Sequence, residues 1–253
     1  MTVLAEMAAE PAGSGLAGFW VSYVAGDGAE HRVPFAEAVA VRFERAMPVR
    51  RFPARRGQRH LSGLWWSATT GGHVGFESWL ERDHLMALDF DPAVTGIVSQ
   101  PFWLHWTDEA GGRVSHAPDY FARRADGSAV VVDCRPAGRR KPRDIEKFEA
   151  TARACALAGW EYELRGAADP VVTANLRWLA GYRHWRHGVP GTAAALREAF
   201  AVPAPLMAGA EAAGDPVATL PVLFHLLWCG VLAADLSVPL GERTPVGLAG
   251  GGR

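Results

Sequence analysis

Apolar and polar positions alternate in short stretches through the first two thirds of the chain, then change to a longer repeat. "FWVSYV" (19–24), "VTGIVSQ" (94–100), "FWLHWTD" (102–108), "AVVVDCRP" (129–136) and "WEYELRG" (160–166) are brief, rich in β-branched and aromatic residues, and bounded by Gly, Pro or Asp, which predicts strands. "GLWWSA" followed by "TTGGHVGF" (63–76) reads as strand, Gly-rich turn, strand. Within "SHAPDYFARR" (115–124) and the turn "ADGS" (125–128) the same meander continues. Two segments break the rhythm. "ESWLERDHLMALDFD" (77–91) carries Trp79, Leu80, Leu85, Met86 and Leu88 at helical spacing and ends before Pro92. "PRDIEKFEATARACALAG" (142–159) places Ile145, Phe148, Ala152, Cys155 and Ala156 on one face. A helix, a meander, a second helix and a closing strand predict an α/β core with a mixed sheet.

From about residue 169 the pattern turns helical. "PVVTANLRWLAGYRHWRH", "GTAAALREAF" and "LPVLFHLLWCGVLAADL" (170–187, 191–200, 220–236) are separated by Gly and Pro, and "SVPLGERTPVG" (237–247) suits a hairpin or wing. Three parts are therefore expected. Residues 1–60 form an extension with one strand and an Arg-rich connector, 61–168 the α/β domain, and 169–253 a small, mainly helical, winged-helix-like domain.

The 253 residues are 49% apolar and 21% charged, as in folded globular proteins. The apolar run at 220–236 carries His225 and Asp235, so it reads as a buried helix rather than a membrane span. No basic stretch precedes an apolar core at the N-terminus, so no secretory signal is expected. Cys134, Cys155 and Cys229 lack zinc spacing and fit a reducing, cytoplasmic setting. Net charge is -1, which argues against a generic polyanion binder. Yet arginine is clustered: Arg50, Arg51, Arg55, Arg56 and Arg59 in the connector, Arg139, Arg140 and Lys141 in "RRKPR", and a third group around Trp178, Tyr182 and Trp185. Arginine forks onto phosphate, so these stretches are candidate DNA contacts.

The candidate chemistry lies in acids. Asp133 closes a strand that is otherwise Ala129 to Val132, with Arg135 two residues on and on the same face. Asp119 follows Pro118 near a strand start, and Glu81 sits mid-helix with Glu77 one turn earlier. Each acid has a structural explanation: Glu77 and Glu81 as solvated helix residues, Asp119 as a turn cap, Asp133 with Arg135 as an ion pair. Together, oxygen ligands from separate elements near a sheet edge are what Mg²⁺ or Mn²⁺ requires. His184 and His187 lack an evident third ligand and read as surface or DNA-facing residues.

The order of helix acid, Pro-Asp, apolar run, acid, any residue, basic residue resembles the PD-(D/E)xK nuclease superfamily. Closer still is the resemblance to TnsA, the endonuclease subunit of heteromeric transposases, over about 63–166. It rests on "FESWLERDHLMALDFDPAVTGIVSQP", "HAPDYF" and "VVDCRPA". The resemblance implies a restriction-endonuclease-like core, with Glu81, Asp119 and Asp133 holding Mg²⁺ (or Mn²⁺) and Arg135 where lysine is usual. Gln100 matches a family residue without a settled role. It further implies cleavage of one strand of double-stranded DNA at transposon ends, beside a DDE-type transposase subunit and an ATP-dependent regulator.

Arginine keeps its proton, so Arg135 is no general base; it suits clamping a phosphate, and Lys141 or Lys147 is the alternative source of an amine. Two other readings stay open: a nuclease fold serving as a DNA-binding or assembly scaffold, and a host defence or repair nuclease.

Overall fold

The computed structural model describes residues 18–50 and 62–250. Strands β1 (Trp20–Val24) and β2 (Glu30–Pro34) form a hairpin, followed by a single turn of helix, α1 (Phe35–Ala38). Next come the hairpin β3 (Gly63–Trp66) and β4 (His73–Phe76), then helix α2 (Trp79–Phe90). The meander contains β5 (Val94–Ser99), β6 (Trp103–Thr107), β7 (Arg113–His116), β8 (Tyr120–Arg124) and β9 (Ala129–Cys134). Helix α3 (Pro142–Leu157) and strand β10 (Glu161–Arg165) close this part.

The chain is a mixed α/β protein, and its meander is split between two sheets. β10, β9, β8 and β5 form the central sheet in that order, with β10 parallel to β9 and the other pairs antiparallel. β6 and β7 leave it and pair with the N-terminal hairpin, in the order β2-β1-β6-β7. A single mixed sheet is thus corrected to a mixed sheet with a second, antiparallel one beside it. The break falls where the chain bends at Gln100 and Pro101 after β5, and returns through Ala117, Pro118 and Asp119 before β8. Pro101 and Pro118 have no backbone N–H to give to a ladder, so each marks a change of sheet.

Strand β9 is buried along both faces, which explains its run of valines. Val130 and Val132 pack with Leu85, Leu88 and Tyr120 on the α2 side, while Ala129 and Val131 pack with Phe43, Phe121 and Trp160 on the other. Full burial of each valine is worth about 1.5–3 kcal/mol. The turn into β9 follows from Asp126 and Gly127: the Asp126 carboxylate accepts from Ser128 N at 2.9 Å, and Gly127 takes a φ of 85°. Together they fix the register that puts Asp133 at the end of the sheet.

The C-terminal region holds α4 (Pro170–Leu179), α5 (Pro190–Ala199), α6 (Leu206–Ala213) and α7 (Pro216–Trp228), with short strands β11 (Ala204–Pro205), β12 (Leu232–Ala234) and β13 (Pro245–Leu248). α6 has no counterpart in the sequence reading, because its small residues give little periodic contrast. α7 starts earlier than expected, capped by Asp215 with Pro216 in its first turn, and ends by Cys229 before Gly230 at φ 65°. In the region read as a hairpin or wing, β13 pairs antiparallel with both β12 and β11. Met86 of α2 packs into the C-terminal core, and Arg177 pairs with Asp83 at 2.6 Å. Among the described residues, no helix is long and apolar enough to cross a membrane.

Candidate functional site: a carboxylate cavity at the end of the central sheet

Where β7 and β9 end and β8 begins, a cavity of about 330 Å³ opens between the start of α2 and the first turns of α3. Glu81, Asp119, Asp133 and Arg135, the proposed catalytic set, all line it. So do Arg50, Glu77, His116, Asp144 and Lys147. Residues more than fifty positions apart in sequence are brought together by the sheet, and Asp119 and Asp133 by the β8–β9 hairpin.

Asp119 is fixed from the strand beside it, its Oδ2 accepting from the backbone N–H of Cys134 at 2.7 Å. Burial holds its carboxyl well above the ordinary range, and the neighbouring charges of Asp133 and Glu81 push the same way. Its backbone carbonyl accepts from Gln100 N at 2.8 Å, and the Gln100 carbonyl accepts from Val49 N at 2.9 Å. Gln100 is therefore a bracket between Asp119 and the segment that carries Arg50. It has a φ of 48°, the only positive value outside glycine among the described residues. Its Oε1 is buried without a partner there. A left-handed backbone at such a residue costs on the order of 1–3 kcal/mol, a cost the surrounding fold must over-determine.

Asp133 is buried, and its role as an Arg135 ion-pair partner is ruled out by its contacts. His116 Nε2 lies 2.9 and 3.0 Å from its two oxygens, and Tyr162 OH donates to Oδ2 at 2.8 Å. Burial and the Asp133 charge drive the Tyr162 hydroxyl pKa far up, so that it stays a donor. Phe148 of α3 packs edge-on against the His116 ring at 5.7 Å. Arg135 instead pairs with Asp144 at 3.1 Å and stays exposed, just beyond the end of β9.

Glu81 has a local role beside any catalytic one. Ser78 caps α2, accepting from Glu81 N at 3.2 Å, and Ser78 Oγ donates back to Glu81 Oε1 at 2.8 Å. Glu77 N donates to Glu81 Oε2 at 2.7 Å. Burial raises the Glu81 carboxyl pKa above its ordinary value, with these hydrogen bonds opposing. Glu77 is not a helix residue one turn before Glu81, as its spacing implied: α2 begins at Trp79, because Ser78 terminates it on that side. Glu77 Oε2 pairs with Arg50 at 2.6 Å, and its Oε1 is buried without a partner among the described residues.

The donors facing the cavity are hard oxygens in excess of nearby positive charge, and the unpartnered Oε1 of Glu77 adds one more. That chemistry fits Mg²⁺ or Mn²⁺. The geometry is not that of a ready-made ligand set: among the described residues no three His, Cys, Asp or Glu side chains are gathered to hold a metal ion. The capping of Glu81 and the clamp on Asp133 account for this, since both carboxylates are engaged by protein donors.

Of the remaining expected DNA contacts, Arg51, Arg55, Arg56 and Arg59 lie outside the described residues. Arg139, Arg140 and Lys141 lead into α3 beside Arg135, whose carbonyl accepts from Arg140 Nε at 3.3 Å, and they are not part of the cavity lining. His184 and His187 are absorbed by ring contacts with Trp66, Trp185 and Tyr182. His116, Tyr162, Asp144 and Lys147 were not picked out by the motif. His116 stands next to the Pro-Asp turn, and Lys147 was named only as an alternative source of an amine. Neither the protein-family models nor the curated proteins compared with this sequence match it.

Proposed function

We propose that this chain is a metal-dependent DNA endonuclease with a core of the restriction-endonuclease type. In that reading it is the TnsA-like subunit of a heteromeric transposase, working in the cytoplasm beside a DDE-type transposase subunit and an ATP-dependent regulator. One observation carries the reading. Glu81, Asp119, Asp133 and Arg135, the positions that the resemblance marks, converge on a single cavity from α2, the two ends of the β8–β9 hairpin and the loop after β9.

Asp119, Asp133 and Glu81 are the residues that would hold Mg²⁺ or Mn²⁺. When bound, the ion supplies activation of water and neutralises charge that grows on the phosphoryl oxygens. The protein's own part is positional and electrostatic. Cys134 N and the Gln100 bracket hold Asp119, while His116 and Tyr162 fix both oxygens of Asp133. Arg50 and Arg135 bring positive charge to the edge of the cavity, where a DNA backbone would run.

The test is nicking of supercoiled plasmid and of a transposon-end duplex with Mg²⁺ or Mn²⁺, with and without the partner transposase. Wild type should cleave, and Asp119→Ala should bind DNA but not cut it. A second reading, a DNA-binding scaffold that keeps the nuclease fold, draws support from the two engaged carboxylates and the Arg135–Asp144 pair. Intact DNA binding with no cleavage under any of these conditions favours the scaffold.

A further inference from the structure

The cation at the lysine position of the motif is bound elsewhere. Arg135 donates to Asp144 at 3.1 Å, and this pair ties the end of β9 to the first turn of α3. One turn further along the same helix, Lys147 lines the carboxylate cavity. Residues three apart on a helix share a face, so Asp144 and Lys147 both look toward the site. The next residue, Phe148, is packed on His116, which holds Asp133. The base of the Lys147 side chain is thereby registered against the carboxylates.

Lys147 also borders a second cavity whose lining includes Glu146 and Glu149. It pairs with neither. Among the described residues no acid lies within ion-pair distance of its ammonium, and no hydrogen bond engages it. Among the described residues, the two arginines on the cavity wall are paired, Arg50 with Glu77 and Arg135 with Asp144.

We propose that Lys147 supplies the catalytic ammonium that the motif places at position 135, and that Arg135 is a positioning residue acting through Asp144. This rests on the nuclease reading above. In the step it serves, a water oxygen forms a bond to phosphorus and the bond from phosphorus to the departing sugar oxygen breaks. The water loses a proton to solvent, the departing oxygen gains one, and nothing is oxidised or reduced. Lys147 donates to a non-bridging phosphate oxygen as negative charge builds there. Loss of one such pre-placed donor lowers a rate by roughly 10²–10³-fold.

The experiment compares single-turnover nicking by wild type, Lys147→Met, Lys147→Arg and Arg135→Met, with DNA affinity and thermal unfolding measured for each. Lys147→Met should lose on the order of 100-fold or more in rate while its DNA affinity stays within about threefold. Lys147→Arg should retain most of the rate, because a charge and a donor remain. Arg135→Met should lose less than about tenfold. A Lys147→Met protein that nicks like wild type overturns the proposal, as does an Arg135→Met loss larger than that of Lys147→Met. A second arm needs neither metal nor turnover: acylation of lysine amines in EDTA, read by mass spectrometry, with and without duplex DNA. Lys147 should be protected by DNA, and equal labelling in both conditions overturns its placement at the phosphate. A wild type that never nicks refutes the nuclease reading itself, and the labelling arm then still reports on Lys147.

Discussion

The backbone N–H of Cys134 donates to Oδ2 of Asp119 at 2.7 Å, so the acid that opens the β8–β9 hairpin is held by the residue following the acid that closes it. One hydrogen bond thus sets the spacing of both carboxylates relative to the sheet end. The pair is kept at an electrostatic cost, since the charges of Asp133 and Glu81 act against ionisation of Asp119. Sites that gather like charges in this way are arranged for something other than stability.

That cost has a sign that can be measured. Asp119 is raised from an ordinary value of 3.8, so above that point the folded protein holds a proton that the unfolded chain has released. Stability contributed by this group therefore falls as pH rises from about 4 through the folded-state pKa. Asp119→Asn keeps an acceptor for Cys134 N and removes the charge. In EDTA it should be more stable than wild type at neutral pH, read as a higher Tm. The gain should shrink toward zero near pH 4. A variant less stable than wild type at neutral pH would refute the like-charge account.

The clamp on Asp133 should work in the opposite direction. Tyr162→Phe removes one donor from a buried carboxylate without changing the shape of the ring. A hydrogen bond to a charged group contributes about 1.5–3 kcal/mol, and that loss should appear in urea unfolding. Unchanged stability would mean that His116 alone satisfies Asp133.

Much of this site could be read from the sequence because strands and carboxylates obey short-range rules. The valines of β9 announce a strand buried on both faces, and the acid at its end stands out by contrast. Pro118 and Asp126-Gly127 mark where β8 starts and ends. His116 and Tyr162 were hidden because their role is defined across the sheet: Tyr162 lies on β10, parallel to β9, and reaches Asp133 only through strand pairing. The same limit explains why Glu77 was set on a helix. Helical spacing does not reveal that Ser78 caps α2, or that the Glu81 carboxylate accepts from Ser78 Oγ and Glu77 N, a local role that competes with the catalytic reading of that acid. The departure of β6 and β7 into another sheet was equally invisible, since alternation says which residues face inward but not which sheet they join.

Asp89 offers a test of the fold independent of the site. It is buried in α2 and accepts from Trp65 Nε1, Ser67 Oγ, Ala68 N and Thr69 N, at 2.8, 2.6, 3.1 and 2.9 Å. These bonds fasten the β3–β4 hairpin to α2. Asp89→Ala strands those donors and should cost about 3–5 kcal/mol in unfolding free energy, with Asp89→Asn losing less. Alanine and asparagine variants of equal stability would show that packing, rather than the carboxylate, holds the hairpin.

Arg50 links the cation and DNA sides of the proposed function. Its guanidinium is 2.6 Å from Glu77, and its charge favours ionisation of both Asp119 and Glu81. It also stands at the cavity, where it would repel a divalent ion. Arg50→Gln should therefore tighten Mg²⁺ binding at pH 8 by roughly two- to fivefold, in keeping with the modest worth of an exposed ion pair. The gain should appear as a larger rise in Tm on adding Mg²⁺, since a ligand that binds only the folded state stabilises it in proportion to RT ln(1 + [L]/Kd). DNA affinity should move the other way, with the salt dependence of binding reduced by about one ion. Asp119→Asn is the control, because without that carboxylate the added Mg²⁺ should raise Tm much less. If Arg50→Gln weakens both Mg²⁺ and DNA binding, Arg50 is instead a structural support for Glu77, and the competition between guanidinium and metal is refuted.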